Sequence, residues 1–479
     1  MNAVTDHAAG RAARNTDDTR PYRDTSYWLA SAEDDLTPRK SLHGRCAVDV
    51  AILGGGYSGL WTAYYLLRDN PGIEVAILEK EICGFGASGR NGGWCSPRFP
   101  VDADALERRY GAETARDTLL ALYDAVEEIG RVVNKENIDI EYRKTGLLGL
   151  ARGNAQLPAL RAAQQSYERL GLGEYNRLVS ASEAFELVHA SNVAGGLLTS
   201  AGAALHPAKL ARGLARLVER LGGVIYERNE VIEISTGPRP SLTTSDGTLF
   251  ARRAVIAAAE AYLTQVPNFE RSVVPMSSMI VLTAPLTASQ WSKIGWQGGQ
   301  CLSSQSSTKN YLTRTTDGRV LYGSRGAPYH FGSAISDAAL NGESIYEWMR
   351  ATVREWFPVL EHVEFTHAWG GYLGVPRDWM PTVHFDEATK LGRLHGYTGR
   401  GVATSNLAGR LLAGLIGKRH TGLERLPLHR RRTPNWEVEP LRWAAVRYLQ
   451  NAYARMDEAV AQGRSMPLDA AFAKFLGGQ

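Results

Sequence analysis

The chain has 479 residues, 44% hydrophobic and 22% charged, with 54 basic against 50 acidic side chains for a net charge of +4. That size allows roughly three domain-equivalents with a self-sufficient core, and that mix excludes wholesale disorder. The even charge balance gives no argument for nucleic acid; the four scattered cysteines (Cys46, Cys83, Cys95 and Cys301) suit free thiols in a reducing compartment such as the cytoplasm, not a disulfide framework or a metal site.

In chain order, the first 26 residues are polar, lack the apolar stretch of a secretory leader and read as a flexible arm. Val50 to Leu67 then runs 18 residues without a charge, near membrane-spanning length. Four glycines and a change of periodicity midway make it a strand (47–53), a turn and a helix (57–69) instead, stopped by Asn70-Pro71-Gly72, and no membrane contact is expected. With a second buried strand at 73–79, the segment reads as one right-handed βαβ unit with parallel strands. Helical stretches follow at 102–135, with Leu119, Leu122, Val126 and Ile129 on one face, and at 156–172. His206-Pro207 opens a helix over 207–221 that Gly222-Gly223 closes. Strands at 224–228, 231–235 and 253–258 come next, with Asp246-Gly247 as a hairpin turn. Residues 272–325 read as antiparallel sheet, with a second hairpin turn at Asp317-Gly318. A helix spans 343–357, and glycine-rich segments lie at 369–374 and 396–401. Helices at 402–417 and 440–463 complete the chain, the last expected to pack on the first domain.

The turn between the first strand and helix is Gly54-Gly55-Gly56-Tyr57-Ser58-Gly59, and the second strand ends in Glu79. This is the full context of a dinucleotide fingerprint. Gly54 allows the tight turn, Gly56 lets backbone N–H groups approach a pyrophosphate, and Gly59 lets helix and strand pack closely. The helix N-terminus favours the anion, and Glu79 accepts from both ribose hydroxyls while repelling a 2′-phosphate. The stretch after Glu79, Lys80 to Pro97, is an extended loop of small residues that can lie along a long cofactor. Arg90 and Asn91 would serve the pyrophosphate, and Gly92 and Gly93 would let backbone touch a flat ring.

Through Gly86-Ala87-Ser88-Gly89-Arg90-Asn91-Gly92-Gly93 the chain resembles the FAD-dependent amine and amino-acid oxidases of the D-amino-acid oxidase type, especially the gamma-glutamylputrescine oxidase branch. The likeness runs over about residues 25–420. It includes 253–263 (where Glu260-Ala261-Tyr262-Leu263 departs from the family's wording), the hairpin 311–325, the tryptophan segment 367–381 and the closing motif 396–416. The resemblance implies an α/β architecture. A discontinuous Rossmann-like FAD-binding domain (47–98, 203–270, 366–420) carries a mixed-sheet and helical substrate domain (99–202, 271–365), followed by a helical extension, 421–479. It implies non-covalent FAD, since 367–381 holds no cysteine and 84–94 no histidine. The implied cofactor contacts are Gly54, Gly56, Tyr57, Ser58, Gly59, Glu79, Lys80, Gly86, Ala87, Ser88, Arg90, Asn91, Gly92, Gly93, Val231, Ala258, Gly371, Gly399, Arg400, Gly401, Val402 and Ala403. The implied catalytic candidates are Trp94, Tyr311, Arg325, Trp369 and Arg400, with Arg314 a further candidate for an anionic substrate group.

The expected reaction is hydride transfer from the carbon beside an amine to flavin N5, then imine hydrolysis, with O2 or an electron carrier taking the electrons. The expected partner is a small-molecule amine, and the expected assembly a monomer or homodimer. Alternatives are an aminophosphonate oxidoreductase, a flavin dehydrogenase or monooxygenase using NAD(P)H, and a flavin-binding subunit that needs a partner chain.

Overall fold

A computed structural model describes residues 22–430 and 432–477. The expected flexible arm falls mostly outside that range, on residues 1–21. Its last residues are packed: Tyr22 is buried, and Ser26 Oγ donates to the Gly89 carbonyl at 2.7 Å while capping the short helix Tyr27–Ala30.

The fold is α/β and built on two large sheets. The strand Gly44–Leu53 sits inside the first. Its aliphatic run pairs in parallel on both sides, Ile52 with Ile77 and Ala51 with Val255, as a strand buried on both faces must. Across this sheet the order is Thr382–Asp386, Leu391–His395, Gly247–Ala257, Gly44–Leu53, Val75–Leu78 and Val224–Tyr226. Glu233–Ser235 and Ser241–Thr243 add an antiparallel meander through the Asp246-Gly247 turn. Two helices pack together on one face. In the dinucleotide helix Tyr57–Asp69, ten of the thirteen residues are buried. The closing helix Gly401–Ile416 crosses it at Gly409, where a β-carbon would come within 2.8 Å of Trp61 Cβ and 3.0 Å of the Thr62 nitrogen.

The second sheet runs Phe365–Val375, Val274–Thr283, Val320–Ser324, Asn310–Arg314, Cys301–Ser304, Leu147–Arg152, Val193–Thr199 and Asn176–Ser180. All pairs are antiparallel except Cys301–Ser304 with Leu147–Leu150. Three expectations change here. The glycine-rich segment 369–374, expected in the FAD half, is part of the edge strand Phe365–Val375 of the second sheet, paired along Val274–Thr283. The antiparallel stretch 272–325 is interrupted by the helix Ala288–Ile294 with its own capping box. The helical stretch 102–135 breaks at Gly111 (φ 84°) into Ala103–Tyr110 and Ala112–Lys135.

The C-terminal helix Leu441–Ala461 also differs from expectation. It packs on loops of the second sheet, not on the first. Gln450 Nε2 donates to the Ala327 carbonyl at 3.1 Å. The Asp457 carboxylate accepts the N–H groups of Ser307 and Thr308 at 2.6 and 2.7 Å. Among the described residues, no helix is long and apolar enough to cross a membrane.

One buried charge ties separate pieces of the first half together. Glu227 is fully buried just after the strand Val224–Tyr226. It accepts from the Arg39 N–H (2.8 Å) and Nη1 (3.0 Å), the Cys83 N–H (2.7 Å) and Arg212 Nη1 (3.3 Å). Removing one partner of a buried ion pair strands the others. Glu227→Ala is therefore expected to lower unfolding stability by about 3–5 kcal/mol in a denaturant titration.

Candidate functional site

A cavity of about 960 Å3 opens between the two sheets. It stands at the upper end of the ~300–1,000 Å3 range of small-molecule sites, large enough for an extended cofactor and a substrate together.

One wall is the glycine turn. Gly54 has φ 106°, and its missing β-carbon leaves room for the Ala258 carbonyl; a β-carbon on Gly59 would overlap the Gly54 carbonyl. Glu79 reaches across the turn, its Oε2 accepting the Gly55 N–H at 2.7 Å and its Oε1 the Glu81 N–H at 3.0 Å. No cation pairs with it among the described residues, and burial pushes its carboxyl up to about 7. The Tyr57 N–H donates to Ser88 Oγ at 2.9 Å, joining the helix start to the following loop, and Ser58 Oγ lies 2.8 Å from Tyr397 Oη. Lys80 pairs with Glu230 at the rim, and Val231 and Ala258 line the same end.

The loop 84–94 lines the cavity through Gly86, Ala87, Ser88, Arg90, Asn91 and Gly92, while the polar groups of Arg90 and Asn91 and the spaces at Gly92 and Gly93 also meet other parts of the protein. Arg90 packs over the Phe85 ring. Its Nε donates to the Phe85 carbonyl (2.8 Å) and its Nη1 to Asp337 (3.0 Å), so the guanidinium clamps the loop to the second sheet and is not free for a pyrophosphate. Asn91 is spent within the loop, donating to the Ala87 and Ser88 carbonyls and accepting the Gly93 N–H. The space at Gly92 is filled by the Tyr311 ring, not left to a flat cofactor. Gly93 faces the Leu205 carbonyl and Trp28, away from the cavity.

Of the catalytic candidates, Trp94, Tyr311, Arg325 and Arg400 line the cavity. Trp94 Nε1 donates to the Leu312 carbonyl at 3.2 Å and the ring meets Tyr311 edge-on at 5.9 Å. Tyr311 is slotted between Gly92 and Gly323, its hydroxyl 3.1 Å from Ser278 Oγ, and burial pushes its phenol up to about 12. Trp369 lies behind the wall: its Nε1 donates to the Arg90 carbonyl at 2.9 Å, so it supports the loop and does not face the cavity. Arg314 is also elsewhere, stacked on Trp291 with Nη1 on the Trp296 carbonyl. Gly371, Gly399, Gly401 and Val402 line the closing-motif side, whereas Ala403 is buried beneath it.

Two features were missed. Glu260 stands where the sequence departs from the family's wording. It accepts the N–H groups of Gly374 (3.0 Å), Gly396 (2.7 Å) and Tyr397 (3.3 Å), locking the end of the edge strand to the closing motif; burial pushes its carboxyl up to about 7. That unexpected acid among glycine-rich segments was the available signal. The second feature is a cationic end, where Arg98 and Lys309 join Arg325 and Arg400 on the cavity wall. Arg98 and Lys309 sit in segments with no motif, so nothing in the order of residues announces them.

A strand–glycine turn–helix unit facing a long cavity defines a dinucleotide-binding oxidoreductase. The family model for FAD dependent oxidoreductases of the DAO type matches residues 49–415, and the chain belongs to that family. It is 30% identical over 394 residues to gamma-glutamylputrescine oxidoreductase of Escherichia coli, covering 82% of this chain and 88% of that one. It is 30% identical over 390 residues to a probable oxidoreductase of Rhizobium meliloti, covering 80% and 86%. In fold it is similar to a solved glycine oxidase of Geobacillus kaustophilus, with a TM-score of 0.65, 23% identity and coverage of 82% of this chain and 100% of that one. The protein is an FAD-dependent oxidoreductase of the amine and amino-acid oxidising class. The cavity suits FAD on its own terms: a glycine cradle at a helix start, a carboxylate paired only with backbone N–H groups, and room beyond.

Two expectations follow. A β-carbon at Gly56 would sit 3.0 Å from Ser88 Oγ. The methyls of Gly56→Val crowd that contact, so flavin content per purified chain should fall about tenfold or more. Glu79 and Glu260 both have folded values near 7 against an ordinary 4.5. A raised carboxyl stabilises the fold fully below its unfolded value and loses that contribution as pH rises through the folded one. The Tm of flavin-stripped protein should therefore decline between about pH 4.5 and 7, and the paired Glu79→Gln and Glu260→Gln substitution should flatten that decline.

Proposed function

We propose that the chain oxidises the C–N bond of a small amine or N-substituted amino acid, with O2 as electron acceptor and gamma-glutamylputrescine-like amines as the leading substrates. Bound FAD supplies the hydride-accepting ring. Every other task falls to the protein. Gly54, Gly56, Tyr57, Ser58 and Ser88 would hold the pyrophosphate at the helix start, and Glu79 would accept from the ribose. The start of the closing helix, at Gly401 and Val402, would offer N–H groups and a positive dipole end to the reduced ring.

An alkyl ammonium has an ordinary pKa of ~10 and must lose a proton before hydride leaves carbon. Support for the reading comes from the cavity's far end, where Arg98, Lys309, Arg325 and Arg400 meet aromatic walls at Trp94, Tyr167 and Tyr311. Desolvation against these aromatic walls disfavours the ammonium and leaves the neutral, reactive amine, without a dedicated base. The relative from Escherichia coli is named for a substrate of this chemical kind. The four free thiols, three of them buried, suit a reducing compartment, and we place the enzyme in the cytoplasm.

Mixing the holoenzyme anaerobically with a panel of amines tests the reading. An amine substrate should bleach the flavin, and readmitted O2 should restore colour with release of peroxide. The rate constant for reduction should rise with pH to a plateau whose midpoint lies below the ~10 of the free amine. Bleaching by NADH and by no amine would overturn the proposal.

A further inference from the structure

Charge in the cavity is unbalanced at one end. Arg98, Lys309, Arg325 and Arg400 line it with a single carboxylate close by, Asp102. The four cations come from four separate pieces of chain, and the fold draws them together at specific contacts. Arg325 Nη2 donates to the Thr398 carbonyl at 2.9 Å, two residues before Arg400. The absent β-carbon of Gly149 leaves a gap 3.5 Å from Arg98 Nη2 and 3.2 Å from Gln305 Nε2, which brings Arg98 against the loop that carries Lys309.

That loop is fixed. Asp457 of the C-terminal helix holds the Ser307 and Thr308 N–H groups, Asn310 Oδ1 accepts the Ser304 N–H at 2.9 Å, and Ser324 Oγ donates to the Lys309 carbonyl at 3.1 Å. Lys309 is surrounded by protein yet stays exposed, because it lines the cavity. Among the described residues, the side chains of Arg98, Lys309 and Arg400 make no ion pair and no hydrogen bond. Mutual repulsion and loss of water hold Lys309 and Arg400 below their ordinary values, as expected of cations held together without counter-charge.

We infer that Arg98, Lys309, Arg325 and Arg400 form a subsite for a doubly charged anionic group at the non-reacting end of the amine substrate, either a phosphonate or phosphate or a pair of carboxylates. The inference rests on the amine-oxidation reading and deepens it, favouring an aminophosphonate or an amine with two carboxylates over gamma-glutamylputrescine, whose far end carries one carboxylate beside an ammonium. A single carboxylate would leave at least two of these cations unbalanced in a protein-walled space, whereas a dianion brings the cluster close to neutrality. The cofactor's own pyrophosphate does not fill this role. It belongs at the glycine turn, where Glu79 and Ser88 stand, and the charged groups that act on Lys309 and Arg400 are Arg98, Arg325 and Asp102.

The test uses the yellow holoenzyme at mildly alkaline pH, where a phosphonate has lost its second proton. Anaerobic flavin reduction is followed with 3-aminopropylphosphonate, 4-aminobutyrate and butylamine, which share a three-carbon amine arm and end in a dianionic, a singly charged and a neutral group. The second-order rate constant should be about tenfold or more higher for the phosphonate than for 4-aminobutyrate, and lowest for butylamine. Arg98→Gln and Lys309→Gln should each cut the preference for the phosphonate over butylamine by about tenfold, with flavin content checked in each variant. Ethylphosphonate, glutarate and propionate, which cannot be oxidised, provide a second readout through the flavin spectrum and Tm. Binding by ethylphosphonate alone or by glutarate alone identifies the source of the dianion, and either supports the subsite. Butylamine reducing the flavin as well as the phosphonate overturns the inference and leaves amine oxidation standing. Dianions that perturb the flavin while no amine reduces it preserve the subsite and overturn the reaction. Propionate binding as tightly as both dianions overturns the subsite.

Discussion

The contact between Gly54 and Gly59 governs the geometry of the first half. A β-carbon at 59 would overlap the carbonyl oxygen of Gly54, so strand and helix meet at a distance that only hydrogen at that carbon allows. This closeness sets the start of the helix beside the end of the neighbouring strand, and hence the Gly55 N–H on Glu79. A separate missing methyl, at Gly409, lets the closing helix cross without being pushed off by Trp61. The cradle for the cofactor is thus a packing consequence of a few missing methyl groups, reinforced by Glu260, whose carboxylate gathers three backbone N–H groups from two distant segments.

The loop after Glu79 illustrates how a stretch without regular structure is made rigid. Its carbonyls at Gly89, Arg90, Asn91 and Gly92 accept from Ser26, Trp369, Trp28 and Thr313 in turn. Donors from the N-terminal segment and from the second sheet therefore hold one wall of the cavity. Arg90 completes the clamp from the loop's side through Asp337. Arg90 and Asn91 thus fix the loop with their polar groups while lining the cavity beside Gly86, Ala87 and Ser88.

The two halves divide the chemistry. The first sheet presents glycine, N–H groups and acids suited to a neutral ribose and a pyrophosphate. The second sheet and its loops present Lys309, Tyr311 and Arg325, which meet Trp94, Arg98 and Arg400 from segments outside that sheet in a region suited to a substrate. The C-terminal helix belongs to this second task, since Asp457 and Gln450 tie down the segments that carry Lys309 and follow Arg325.

The βαβ unit, the acid closing its second strand, the hairpin turns and the closing glycine motif were legible in the sequence. Each depends on local rules: an aliphatic run buried on both faces, glycine where backbone must turn or approach, a helix begun and ended by recognisable residues. The same rules could not tell that Trp369 turns away from the cavity while Trp94 faces it. Nor could they tell that the glycines 370–374 belong to an edge strand, because both depend on which strand pairs with which. Arg98, Lys309, Arg325 and Arg400 are far apart along the chain and unremarkable one by one. Their convergence is decided only when the two sheets close on each other, for electrostatic potential depends on distance in space and not on separation in sequence.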